Sequence, residues 1–213
     1  MKNKKNIVLA VIMTIVSIIY TIIVKSVDVK AIGPNKSKVG LSTLNKGFKD
    51  IIGSNMTIYK ITELLGLLVL LIVFIYDLVG LYQLIKRKKI FKIDREIIIL
   101  GIFYVLMILT YIFFEKFIIN YRPILIDNEL EASYPSSHTI LAICTCISSL
   151  IVSKKYLSEK YLKITNIITI ILLFSVFLGR MFSGVHWLSD IIGGFIISLT
   201  LLSYFNLMYN LKK

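Results

Sequence analysis

Tyr134-Pro135-Ser136-Ser137-His138 closes an acidic segment, residues 127–131, and opens an apolar run, residues 139–152. A proline followed by two serines is the composition of a helix start. Proline's fixed φ suits the first turn, and serine hydroxyls can cap N–H groups that lack an intrahelical partner. Free N–H groups and the positive end of the helix dipole also make such a start an anion site. His138 stands on its lip, where it could pass a proton to or from a bound phosphate. By itself the stretch is equally a capped helix with an incidental histidine, so the decision lies with what the rest of the chain brings to it.

The run that follows is one of six. Residues 7–24, 61–85, 97–119, 136–153, 164–178 and 188–211 are each dominated by apolar residues. A hydrocarbon core takes about 20 residues of helix. Hydrophobic residues make up 57% of the 213, charged residues 17%, and mean hydropathy is +0.83. These values exclude an ordinary soluble domain and predict an all-α polytopic membrane protein, a six-transmembrane-helix bundle forming one domain over residues 1–213. The first run is longer than the apolar part of a signal peptide and no small-residue cleavage site follows it, so it reads as a span.

The net charge of +13 does not mark a nucleic-acid surface, because the lysines and arginines punctuate the apolar runs instead of clustering on one face. With the N-terminus inside, the inner segments hold 15 of the 25 Lys and Arg residues. The first outer loop, residues 25–60, carries seven lysines and runs against the rule. Both termini inside is still the best solution, and a small, helix-only, cysteine-poor membrane protein suits a bacterial plasma membrane. Within that loop, Leu41, Leu44, Phe48 and Ile51 have helical spacing, which fits either a short amphipathic surface helix or a polar loop with scattered apolar residues. Glu63, near the end of its span, can reach the headgroups. Asp77 is expected to snorkel towards the basic cluster at 86–89. Cys144 and Cys146 lie about 200° apart on a helix, which suits neither a disulfide nor a shared metal.

This topology puts three groups on the same outer side: Lys116 with Arg122-Pro123, then residues 135–138, then Arg180, His186 and Asp190. Both histidines of the chain are among them, and hydrophobic packing has no use for that. Arginines are permanently charged forks suited to phosphate oxygens. His186 and Asp190, four apart, can touch on a helix start, and a carboxylate on one imidazole nitrogen leaves the other free as base or nucleophile. Singly, each has a bland reading: a charged helix end, an interfacial Trp187, an N-cap at Asp190. Jointly they describe phosphoryl transfer through a phosphohistidine.

These residues resemble the type 2 phosphatidic acid phosphatase (PAP2) superfamily of membrane lipid phosphatases, marked by Lys-x6-Arg-Pro, Pro-Ser-x-His and Ser-Arg-x5-His-x3-Asp. The chain has Arg122-Pro123, Pro135-Ser136-Ser137-His138 and Arg180-x5-His186-x3-Asp190. The resemblance implies that His186 attacks phosphorus, that Asp190 orients it, and that His138 protonates the leaving group. It also implies that Lys116, Arg122, Ser136, Ser137 and Arg180 hold the phosphate, with no metal or other cofactor. The partners would be the bilayer and a lipid phosphate such as phosphatidic acid, phosphatidylglycerol phosphate, undecaprenyl diphosphate or a lipid A phosphate. Two positions depart from the pattern. Gly179 stands where the family has serine. Lys116 is separated from Arg122 by five residues instead of six, which brings Glu115 to the matching helical phase. Lys116 is expected to swing in if the helix loosens ahead of Pro123. A phosphotransferase with the same residues, and a non-enzymatic transporter or scaffold that binds anionic lipid, are the competing functions.

Overall fold

In a computed structural model of the chain, which describes residues 2–211, seven α-helices follow one another: α1 (Lys2–Ser26), α2 (Ser42–Ile52), α3 (Met56–Arg87), α4 (Arg95–Lys116), α5 (Ser137–Val152), α6 (Glu159–Ser183) and α7 (Leu188–Asn210). All but α2 are long and apolar enough to cross a membrane. Lys212 and Lys213, counted above among the inner basic residues, lie outside the described residues, as does Met1.

Helix ends depart from the apolar runs where local chemistry says they should. Asn55 caps α3 by accepting the Ile58 N–H at 3.0 Å, so the helix starts at Met56, ahead of the apolar run. Helix α6 does not stop at 178 but carries Gly179 and Arg180 to Ser183. It ends at Gly184, whose φ of +64° is the left-handed conformation of a helix C-terminus. Helix α4 stops at Lys116, short of 119, because the chain beyond it folds back on itself. Arg122 N donates to Glu131 O at 3.0 Å and Ser133 N to Asn120 O at 2.9 Å. The segment at 42–52 resolves as a helix. It buries Ser42 and Asn45 and leaves Leu44 and Ile51 outward, as a helix lying on an apolar medium would.

Helix α5 is the central post, packed by α3, α4, α6 and α7. Cys144 and Cys146 are buried along it as free thiols. Around Phe103 and Phe205, whose ring centroids are 4.9 Å apart, α4, α5 and α7 share an apolar core. Helix α1 closes the bundle against α7, with Ser17 and Thr200 hydroxyls 2.7 Å apart and those of Thr14 and Tyr204 2.9 Å apart. Ile12, Leu71 and Ile171 are among many apolar residues of α1, α3 and α6 that point outward. Outward apolar rows on fully hydrogen-bonded helices suit lipid as the solvent. Alternation of the spans brings the starts of α3, α5 and α7 and the ends of α4 and α6 to one end of the bundle, away from both termini.

Candidate active site

At that end, α5 begins with an uncapped turn. Ser136 O accepts the first helical N–H, from Ile140, at 3.1 Å. Neither Ser136 nor Ser137 caps the helix with its hydroxyl, contrary to the expectation from the sequence. Ser136 is fully buried, its Oγ accepting from Thr139 Oγ1 at 3.0 Å, while its N–H donates to Asp190 O and ties α5 to α7. The N–H groups of residues 137–139 are thus left without helical partners, the arrangement that favours an anion. Ser137 and His138 line the cavity in front of them.

His186 lies in the turn between Gly184 and α7, ahead of the helix, so the i,i+4 contact with Asp190 does not form. Ser133 bridges the two instead. Its Oγ is 3.0 Å from His186 Nδ1 and donates to Asp190 Oδ2 at 2.6 Å. On the other ring nitrogen, Arg122 Nη1 is 3.5 Å from His186 Nε2. An arginine only donates, so Nε2 accepts, Nδ1 carries the proton and passes it towards Ser133, and the serine proton points at Asp190. Asp190 takes three further bonds, from Asn120 Nδ2 and the Trp187 N–H, each 3.0 Å, and a longer one from Ser189 Oγ at 3.4 Å. Burial, with Arg122, Arg180 and His138 nearby, holds the His186 imidazole well below its ordinary pKa, so it is neutral with a free Nε2 lone pair.

The second histidine has the opposite tautomer. Arg180 Nη2 donates to His138 Nδ1 at 2.8 Å, which leaves the proton on Nε2, 3.5 Å from Glu63 Oε1. Arg180 is fully buried. Its Nη1 donates to Glu63 Oε1 at 2.7 Å and to Thr62 Oγ1 at 3.2 Å, and the Tyr59 ring centroid is 5.0 Å from its guanidinium carbon. Glu63 therefore faces the interior of the bundle instead of reaching outward for headgroups. Gly179 has a packing reason: a Cβ there would lie 2.4 Å from Thr62 Cγ2. The Thr62 hydroxyl bonds Arg180 from the neighbouring helix, where the family pattern has a serine hydroxyl beside it in sequence.

Arg122 borders the cavity, and its Nε is 2.8 Å from Glu131 Oε2, an ion pair without hydrogen-bond geometry. Lys116, the last residue of α4, is exposed and does not line the cavity, whereas Glu115 does. The structure thus brings His138, His186, Asp190, Arg122, Arg180, Ser136 and Ser137 together and leaves Lys116 outside. It adds Ser133, Asn120, Tyr59, Thr62 and Glu63. A carboxylate inside a membrane span was a signal for Glu63; nothing in the sequence marked Ser133.

The cavity has a volume of about 860 Å³. From His138 and His186 it continues between α3 and α4 along Leu67, Leu70, Met107 and Ile108, of which Leu67, Leu70 and Ile108 also face outward.

A helical membrane bundle that gathers two oppositely tautomerised histidines and two arginines around the start of α5 has the groups that phosphoryl-group chemistry uses. The family model of the PAP2 superfamily matches residues 97–213, more than half of the chain, and the chain belongs to that superfamily as a phosphatase. Among solved structures, the fold is similar to that of a transmembrane PAP2-type phosphatidylglycerolphosphate phosphatase from Bacillus subtilis. The TM-score is 0.60 and the identity 19%, over 93% of this chain and 94% of that one. No curated protein sequence matches the chain.

Proposed function

We propose that the protein hydrolyses a lipid phosphate or diphosphate through a phosphohistidine at the outer face of a bacterial plasma membrane. The observation that carries this reading is the cavity, which joins the polar site to an apolar cleft open on the lipid-facing flank. A lipid could keep its chains in the cleft and present its phosphate to the histidines. The lysine- and arginine-rich segments at the opposite end support the outward orientation. Phosphatidylglycerolphosphate, named for the structural neighbour, heads the candidate substrates, followed by phosphatidic acid and undecaprenyl diphosphate.

In the proposed reaction His186 Nε2 attacks phosphorus as the bond to the leaving oxygen breaks, and His138 gives that oxygen a proton. Water then attacks the phosphohistidine, its proton returns to His138, and inorganic phosphate leaves with His186 regenerated. Ser133 and Asp190 hold the imidazole so that its Nε2 faces the cavity. The two arginines and the uncapped N–H groups of α5 meet the charge that grows on the equatorial oxygens. Purified protein should release phosphate from at least one of these lipids without added metal, and His186→Ala should abolish release. Full activity in His186→Ala would refute the mechanism, and recovery of the phosphoryl group on an added alcohol would make the enzyme a transferase.

A further inference from the structure

Arg180 is the phosphate-holding residue the family pattern would put in the site, yet it is buried and does not border the cavity. Glu63, His138 and Tyr59 do border it, and all three lie against the guanidinium. Both hydrogens of Nη1 are taken, by Glu63 and Thr62, and one of Nη2 by His138, while the buried Nε has no partner. A phosphate approaching from the cavity meets the Glu63 carboxylate first, on the same Nη1 that offers the shortest of these bonds. Two anions do not share one guanidinium hydrogen. Glu63 is 42% exposed on its side chain, so it has room to withdraw into the cavity.

We propose that Glu63 competes with phosphate for Arg180: the substrate phosphate displaces it, and its return to Arg180 helps expel inorganic phosphate after turnover. The proposal rests on the phosphatase reading above and assigns Glu63 a positioning role in it. His138 gives it a second footing. With Arg180 donating to Nδ1, His138 is the neutral Nε2–H tautomer, which can donate a hydrogen bond but cannot release that proton without becoming an imidazolate. To act as the acid, His138 must be protonated on Nδ1, and Arg180 must first let that nitrogen go. A phosphate that draws Arg180 away from Glu63 and onto its own oxygens does this as it binds. Exchange of one anion for another thus couples phosphate arrival to readiness of the acid.

Inorganic phosphate is the probe, with binding measured by calorimetry on the purified full-length protein in detergent, and KM and kcat measured on the lipid substrate. Glu63→Gln keeps an acceptor near Arg180 but removes the competing charge. Phosphate affinity should rise by about tenfold or more, equivalent to ~1.4 kcal/mol, and KM should fall without a rise in kcat. A residue that merely supported the helix pair would leave phosphate affinity unchanged or weaken it, and either result overturns the proposal. Glu63→Asp keeps the charge on a shorter arm and should shift affinity in the same direction by less; if Glu63→Gln does not fold, this variant decides alone, and an affinity no higher than that of the native protein overturns the proposal. If the native protein turns over no lipid phosphate, the proposed activity fails while the phosphate affinities still decide the role of Glu63. If neither the native protein nor the variants bind phosphate, the competition itself is refuted.

Discussion

Replacing Ser133 with alanine removes one hydroxyl and two hydrogen bonds at once. His186 Nδ1–H loses its acceptor at 3.0 Å, and Asp190 loses its closest donor, at 2.6 Å. A bond to a charged group is worth ~1.5–3 kcal/mol and a neutral one ~1 kcal/mol. If both serve mainly to hold His186 as the proposed nucleophile, kcat should fall by about 10² to 10³, at ~1.36 kcal/mol per decade. Neither bond touches the substrate, so KM should stay within about twofold. The fold should stand, because Asp190 keeps Asn120 Nδ2 and the Trp187 N–H. The assay is steady-state phosphate release by Ser133→Ala, Asp190→Asn and the double variant. Residues acting as a unit are non-additive, so on the Asp190→Asn background the serine change should cost less than about threefold. Losses that multiply in the double variant, or a kcat for Ser133→Ala within about threefold of native, would falsify the relay.

The remaining expectations come from charge and packing. Because burial depresses the His186 pKa, the unfolded chain binds more protons than the folded one below its ordinary value of about 6.5, so stability should fall as pH falls through that region. Thermal midpoints of native protein and His186→Asn should converge towards pH 5, and parallel curves would remove His186 as the cause. Gly179→Ser restores the family residue but drives its Cβ against Thr62; we expect it to lower activity, and Thr62→Ala combined with Gly179→Ser to recover part of the loss. Lys116→Ala should leave KM within about twofold, whereas Arg122→Ala, stripping a donor beside His186, should raise KM or lower kcat by about tenfold or more.

The number of spans and the charged and imidazole-bearing residues that gather at one end were legible in the sequence, because apolar length and the scarcity of histidine are one-dimensional signals, whereas spacing left α2 open between helix and loop. So was the phase of α4: six positions before Arg122 is the wrong face, and Glu115, not Lys116, borders the cavity. Helix ends were less legible. Arg180 belongs to α6, since a glycine interior to a helix costs only ~1 kcal/mol and packing against Thr62 favours it there. What could not be read were pairings across the bundle. Glu63 finds Arg180 across 117 residues of chain and Ser133 finds Asp190 across 57, and each depends on the rotation of helices about their own axes. The direct His186–Asp190 contact failed for the converse reason: His186 sits before the helix begins, where four-residue spacing has no geometric meaning.

Asn45 on α2 donates to Ser189 Oγ at 2.8 Å and accepts the Ser189 N–H at 3.0 Å, so the start of α7, and with it the turn that carries His186, is pinned by a residue 144 positions upstream. Helix α7 also leans on α1 along its length. A chain leaving the ribosome therefore cannot complete this site early: α2 emerges well before the turn that carries His186, and has to wait for the start of α7 before it can pin that turn. The half that carries the family pattern would not work if cut free, because Asn45, Thr62 and Glu63 lie outside it. The site is assembled only when α2 and the start of α7 have met.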